Sequence, residues 1–158
     1  MKALIVSDTH GTVAPLINML KNKNDFDLLL FLGDYVHDGE RIGKSLDLPT
    51  YIVSGNSDFG SKYPSERVID FMGKRILLTH GHKQRVKFGI QNLYYFSLEN
   101  QADITLFGHS HIPYYERIEE LIIINPGSPF HPRGNQSLGS YGILKIDKDI
   151  EYNTVYME

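Results

Sequence analysis

The chain has no cysteine. It therefore holds no disulfide and no thiolate-ligated zinc, and any metal it binds takes nitrogen and oxygen ligands. Long apolar runs are also missing. The short stretch between Lys2 and Ser7 is too brief for a signal-peptide core and far too brief to cross a bilayer, which predicts a cytoplasmic protein and no membrane partner. No Pro-rich, Ser-rich or repeated stretch marks a linker or a solenoid, so residues 1–158 read as one domain. A strong charge of either sign is absent too. The formal net charge of -3 gives no general attraction for nucleic acid or anionic membrane, and small substrates are favoured.

What the chain does have is a series of short apolar runs bounded by turn residues. Residues 4–6, 28–32, 51–53, 76–78, 104–107 and 121–124 read as buried strands, being brief, rich in branched side chains and free of polar alternation. Residues 12–23 carry Leu16, Ile17 and Leu20 at helical spacing and read as a crossover helix. A short helix over 39–46 and one or two more within 83–99 are expected. The stretch RVIDFMGKRILLTHGH reads as an antiparallel hairpin turning near Gly73, and GSYGILKIDKDIEYNTVY as a second turning near 147–150. Two mixed sheets covered by helices fit this pattern better than one parallel sheet.

The residues that follow each core strand carry the chemistry. Val6 is followed by Ser7-Asp8-Thr9-His10, Leu32 by Gly33-Asp34, Val53 by Ser54-Gly55-Asn56, Leu78 by Thr79-His80-Gly81-His82, and Phe107 by Gly108-His109-Ser110-His111. Five of the seven histidines fall in these windows, all but His37 and His131. His109 and His111 are two apart, so in an extended segment they point the same way and can grip one ion or two neighbouring ions. In open α/β folds the carboxyl ends of strands line the ligand crevice, which lets windows distant in sequence converge. Two Asp, one Asn and four or five His exceed the needs of one ion, so two divalent ions are implied, with one carboxylate bridging. Mixed imidazole and carboxylate ligation suits Mn first, with Ni, Co, Fe and Zn also competent, over Mg or Ca. Two ions about 3.5 to 4 Å apart are an arrangement that stabilises attacking and leaving oxygens in phosphoryl displacement.

The order Asp8-x-His10, Gly33-Asp34, Gly55-Asn56-x-Asp58, His80-Gly81-His82 and Gly108-His109-x-His111, with NPGS at 125–128, resembles the calcineurin-like metallophosphoesterases. The likeness is to their small single-domain prokaryotic phosphodiesterase branch, to which the retromer coat subunit is related. It implies an αββα sandwich of two mixed β-sheets flanked by helices. It also implies that Asp8, His10 and His111 hold one ion, that Asn56, His80 and His109 hold the other, and that Asp34 bridges them. Asp34, Asn56 and His82 would be the catalytic residues, with His82 outside the ligand set, either behind the ligands or facing substrate. NPGSPFHPRG matches the branch's Gly-Ser loop followed by Pro-Arg, so Ser128 and Arg133 are expected at the phosphate, where a guanidinium fork is well suited.

The implied activity is a metal-dependent phosphodiesterase in which a hydroxide activated by the two ions attacks phosphorus. Larger members of the superfamily carry His after the Asn; here Ser57 stands there, which leaves the leaving group without that acid and Asp58 without its usual partner. Two other readings compete: a metal-binding scaffold that has lost catalysis, and a nuclease. A nucleotide-binding loop at Gly43-Lys44-Ser45 is set aside because position 38 is Asp rather than Gly, and Gly39 and Gly43 are expected to bracket a short helix or a turn. Loops over 35–44, 59–65 and 129–137 would set specificity. The aromatic stretch NLYYF over 92–96 would line the core or an interface between copies of the chain.

Overall fold

Alternation along the strands decides the layering. The computed structural model describes residues 1–23 and 25–158. In chain order the strands are β1 Lys2–Val6, β2 Leu28–Phe31, β3 Thr50–Ile52, β4 Glu66–Phe71, β5 Lys74–Thr79, β6 Ile104–Leu106, β7 Tyr114–Ile118, β8 Leu121–Asn125, β9 Ser140–Ile146 and β10 Ile150–Tyr156. The helices are α1 Ala14–Leu20, α2 Val36–Leu46 and α3 Gln91–Glu99, with a single 3₁₀ turn over Val86–Phe88. The strands pair into two five-stranded mixed sheets, ordered β10-β9-β1-β2-β3 and β4-β5-β6-β8-β7.

Ala3, Ile5, Leu28 and Leu30 of the first sheet meet Ile76, Leu78, Ile104 and Ile122 of the second in the central core. The alternate residues Leu4, Val6, Leu29 and Phe31 face outward under Leu16, Leu20 and Ile42 of α1 and α2. Leu121 and Ile123 face the other way, under Val86 and Leu93. Helix, sheet, sheet, helix is the order of layers, as the sandwich reading expected. Both faces of each central strand are covered, which is why these strands read as unbroken apolar runs.

The expected hairpins are present. β4 pairs antiparallel with β5 around Met72 and Gly73, both at positive φ as a two-residue primed turn requires, and β9 pairs with β10 around 147–149. Three elements differ from expectation. The helix expected over 12–23 is confined to Ala14–Leu20. α2 begins at Val36 rather than 39, because the backbone N–H groups of Tyr35 and Val36 donate to the Asp58 carboxylate at 2.8 and 3.0 Å. That cap comes from 22 residues away and leaves no local signal. Gly39 and Gly43 therefore lie inside α2. A Cβ on Gly39 would sit 2.7 Å from the Phe31 ring and one on Gly43 2.0 Å from Thr50 Oγ1, so these glycines set how closely the helix rests on the sheet. The strand β7 was not anticipated, since this edge strand is largely exposed and lacks a clean alternation. In NLYYF, Leu93 and Tyr94 join the outer core while Tyr95 stays exposed.

Register positions the functional loops. Val6, Phe31 and Ile52 stand level across the first sheet, and Leu78, Leu106 and Ile124 across the second. The segments following these parallel strands consequently leave the sandwich at a common edge.

Candidate metal centre

That edge collects the strand-end residues. The first sheet contributes Asp8, His10, Asp34 and Asn56, and the second contributes His80, His82, His109 and His111. Ligand atoms of Asp8, His10 and His111 lie within 4.8 Å of one another, as do those of Asp8, Asp34 and His80. His111 Nε2 is 3.3 Å from Asp8 Oδ1 and 3.2 Å from His10 Nε2. His80 Nε2 is 3.1 Å from Asn56 Oδ1, 3.4 Å from Asp34 Oδ1 and 3.7 Å from Asp8 Oδ1. Asp34 links the two groups, its Oδ2 lying 3.6 Å from His10 Nε2. The His109 and His82 rings are centred 5.1 and 5.4 Å from the His80 ring.

Tight backbone geometry achieves this convergence. Asp8, His10, Asp34, His109 and His111 all have φ between +47° and +68°, a left-handed conformation that non-glycine residues seldom adopt and that costs on the order of 1–3 kcal/mol each. Asp and His tolerate it better than most, and strain of this kind gathers at functional sites. The neighbouring glycines are required by contact: a Cβ on Gly55 would fall 2.2 Å from Asp34 Oδ1, and one on Gly108 2.0 Å from Ser7 Oγ.

Hydrogen bonds then fix which atoms are free. Asp8 Oδ2 accepts from the Ser7 hydroxyl at 2.7 Å and the His109 N–H at 2.9 Å. Its Oδ1 is buried and has no hydrogen-bond partner. His80 Nδ1 lies 2.7 Å from the Leu32 carbonyl and His111 Nδ1 2.7 Å from the His131 carbonyl. A carbonyl only accepts, so in the neutral rings both protons reside on Nδ1 and both Nε2 lone pairs turn inward. With both rings neutral, lone pairs of Asp8, Asp34, Asn56, His80 and His111 thus face one another. Acceptors so arranged repel unless a cation lies among them, and the donor set is the nitrogen and oxygen mixture suited to divalent transition metals. The residues present fit such ions.

Charge states agree. Burial opposes ionisation of Asp8, but His111 and His80 outweigh it and its pKa is lowered. Burial likewise acts against Asp34, and His80 with the Ser57 N–H holds the carboxyl well below its usual range. Burial lowers His10 and His82, and lowers His109 to about 4 with help from the charges of His80 and Lys87. Burial also opposes charge on His80, yet the adjoining Asp34 and Asp8 raise its pKa.

Other residues hold the centre in place. Asp38 Oδ2 accepts from Thr9 Oγ1 and the Gly11 N–H, both at 2.7 Å, pinning the turn that carries His10. Asn125 Nδ2 donates to the Gly108 carbonyl at 2.9 Å. Ser128, expected at the phosphate, is fully buried: its hydroxyl donates to the Asp8 carbonyl at 2.8 Å and accepts the His131 N–H at 3.0 Å. Its place is therefore behind the site. Arg133 does border the site, lining a cavity of about 360 Å³ with His10, His111, His131 and Pro132. Sequence reasoning missed His131, whose ring is 5.3 Å from that of His10, because it follows no core strand. It also missed Tyr35, whose ring meets His10 edge-on at 5.2 Å, although Tyr35 directly follows Asp34.

Comparison with known proteins extends this picture. The family model described as the calcineurin-like phosphoesterase superfamily domain matches residues 1–149. The chain is 36% identical to the probable metallophosphoesterase YsnB of Bacillus subtilis strain 168, over 94% of this chain and 86% of that one. It is 30% identical to the phosphodiesterase YfcE of Escherichia coli K12, over 93% and 89%. Wild-type Vps29 of Entamoeba histolytica, solved as a complex with Zn²⁺, superposes with a TM-score of 0.77 over 99% of both chains. At 20% identity that likeness concerns the fold.

Proposed function

This chain belongs to the calcineurin-like phosphoesterase superfamily, in the small prokaryotic branch of YsnB and YfcE, and from that premise we propose that it is a dinuclear metal-dependent phosphodiesterase. The observation that carries the proposal is the buried, unpartnered Asp8 Oδ1 facing the Nε2 lone pairs of His80 and His111. In this reading Asp8, His10 and His111 hold one divalent ion, Asn56, His80 and His109 the other, and Asp34 both, with Mn the first candidate. The ions would supply Lewis acidity, acidifying water and neutralising charge on the phosphoryl oxygens.

The chain's own residues do the rest. Hydrogen bonds from Nδ1 to backbone carbonyls fix the tautomers of the neutral His80 and His111 rings, so each neutral ring presents Nε2 as its free nitrogen. Arg133, on the rim beside His10 and His111, orients the phosphate and offsets the charge that builds on it. His82, beside His80 and His109, contacts the phosphate, and Ser128 acts through Asp8 and His131. Hydrolysis forms one P–O bond to water and breaks the ester P–O bond, with a proton ending on the released alcohol. Ser57 is too weak an acid to deliver that proton. Every ligand position carries a competent side chain, which favours an enzyme over a scaffold that has lost catalysis.

The test is metal analysis of the purified protein with a screen of phosphodiesters and phosphomonoesters under added Mn, Ni, Co, Zn and Mg. Bound transition metal and diester hydrolysis abolished by chelation are expected. Absence of both under all five ions overturns the proposal.

A further inference from the structure

A cavity of about 570 Å³ lies immediately beside the metal centre rather than in it. Tyr35 and Ser57 form the shared wall: Tyr35 follows Asp34 and meets His10, and the Ser57 N–H donates to Asp34 Oδ1 at 3.0 Å. Its polar side is already satisfied internally. Glu40 accepts the Tyr63 hydroxyl at 2.6 Å, pairs with His37 Nδ1 at 3.0 Å and lies 3.5 Å from Lys62 Nζ. Aromatic surface remains unspent, since Phe59 is 94% exposed and Tyr35 46% exposed. Leaving a phenylalanine in water forgoes most of the stabilisation its burial would bring.

The backbone that carries these two rings is nonetheless held in place. Tyr35 sits at φ +72°, an unfavourable conformation for a bulky residue, and Asp58 holds it there by accepting its N–H. The other oxygen of the same carboxylate accepts the Gly55 N–H at 2.8 Å, tying down the loop that carries Phe59. Asp58 is thus the common anchor of both aromatic walls.

We propose that this cavity is the subsite for the organic group of the ester and selects a planar aromatic ring, with Phe59 and Tyr35 as the specificity-determining residues. The inference rests on the phosphodiesterase reading above. Stacking on one aromatic side chain is worth about tenfold in affinity. A phosphate carrying a simple aryl group and one carrying a nucleobase share this chemistry.

The experiment is calorimetric titration of the Mn-loaded protein with phenylphosphonate, methylphosphonate and adenosine 5′-monophosphate, using wild type, Phe59→Ala and Phe59→Tyr. Phenylphosphonate should bind about tenfold tighter than methylphosphonate to wild type and to Phe59→Tyr. Phe59→Ala should erase that difference and leave methylphosphonate unchanged. Adenosine monophosphate exceeding phenylphosphonate, with the excess lost in Phe59→Ala, identifies a nucleobase; parity of the two identifies a simple ring. Equal binding of phenyl and methyl probes to wild type, or an equal loss of both in Phe59→Ala, overturns the subsite even if diesters are hydrolysed. Ring selectivity without any hydrolysis leaves the subsite standing and overturns the phosphodiesterase reading.

Discussion

His80 Nδ1 lies 2.7 Å from the backbone carbonyl oxygen of Leu32. Leu32 directly follows β2 of one sheet and His80 follows β5 of the other, so a single bond both fixes the tautomer of the neutral ring and ties the two layers together at this edge. In the neutral ring Nε2 is the nitrogen free to take an ion, and because Asp34 and Asp8 raise the His80 pKa, an ion there competes with a proton.

His109 is held at about 4, first by burial, so an ion displaces no proton from that ring at neutral pH, and burial lowers His10 in the same direction. Protons compete only as pH falls through the folded-state values. Metal content after dialysis in steps should therefore fall as pH is lowered, with protons displacing ions from the raised His80 first and from His109 only toward pH 4. Full occupancy retained at pH 4 would contradict the histidine ligation.

Asp34 touches both ligand groups, at 3.4 Å from His80 and 3.6 Å from His10, while Asn56 touches His80 alone. Asp34→Asn should lose at least about tenfold more activity than Asn56→Asp, which keeps an oxygen ligand. Comparable losses at saturating Mn would reject Asp34 as the bridge.

His109→Ala and His111→Ala should each retain close to one ion per chain by elemental analysis, since each histidine is assigned to a different ion. Two ions per chain in both variants would mean that neither ring is a ligand.

Asp58 accepts three backbone N–H groups, from Tyr35, Val36 and Gly55. Asp58→Ala should destabilise the fold by about 2 kcal/mol, the scale of hydrogen bonds to a charged acceptor. Denaturant midpoints measure this. A change below about 0.5 kcal/mol would show that the clamp holds little.

With Ser57 at the position of the missing acid, hydrolysis should depend steeply on leaving-group pKa across a series of aryl diesters, and Ser57→His should flatten that slope. General acids contribute about a hundredfold to ten-thousandfold. A shallow slope in wild type, unchanged in His82→Ala, would reveal another proton donor.

The strand-end residues were legible because each window pairs a short apolar run with side chains of recognisable ligand chemistry, and period and composition are local. Asp58 was not legible as the cap of α2, because its partners lie more than twenty residues away. The partner of Ser128 was not legible for a related reason: only the fold turns its hydroxyl onto the Asp8 carbonyl, 120 residues away in the chain. Tyr35 and Phe59 lie in loops expected to set specificity but were not singled out within them, since exposed aromatics acquire meaning only from the cavity they border. The strand β7 escaped because an edge strand with one wet face has little hydrophobic pattern to read.

Neither sheet owns the site. Asp8, His10, Asp34 and Asn56 ride on one and His80, His109 and His111 on the other, and both compact ligand groups draw from the two together. The greasy seam between the layers therefore works as a ruler, because ligand distances tolerate only about 0.2 Å and the side chains of Ile5, Leu30, Ile76 and Leu106 set the spacing. A methylene lost or gained deep in that seam can detune the distant edge with no ligand altered. Any ion seated there in turn rivets the layers, so that sheet separation, metal retention and turnover should drift together in variants selected for their interior alone.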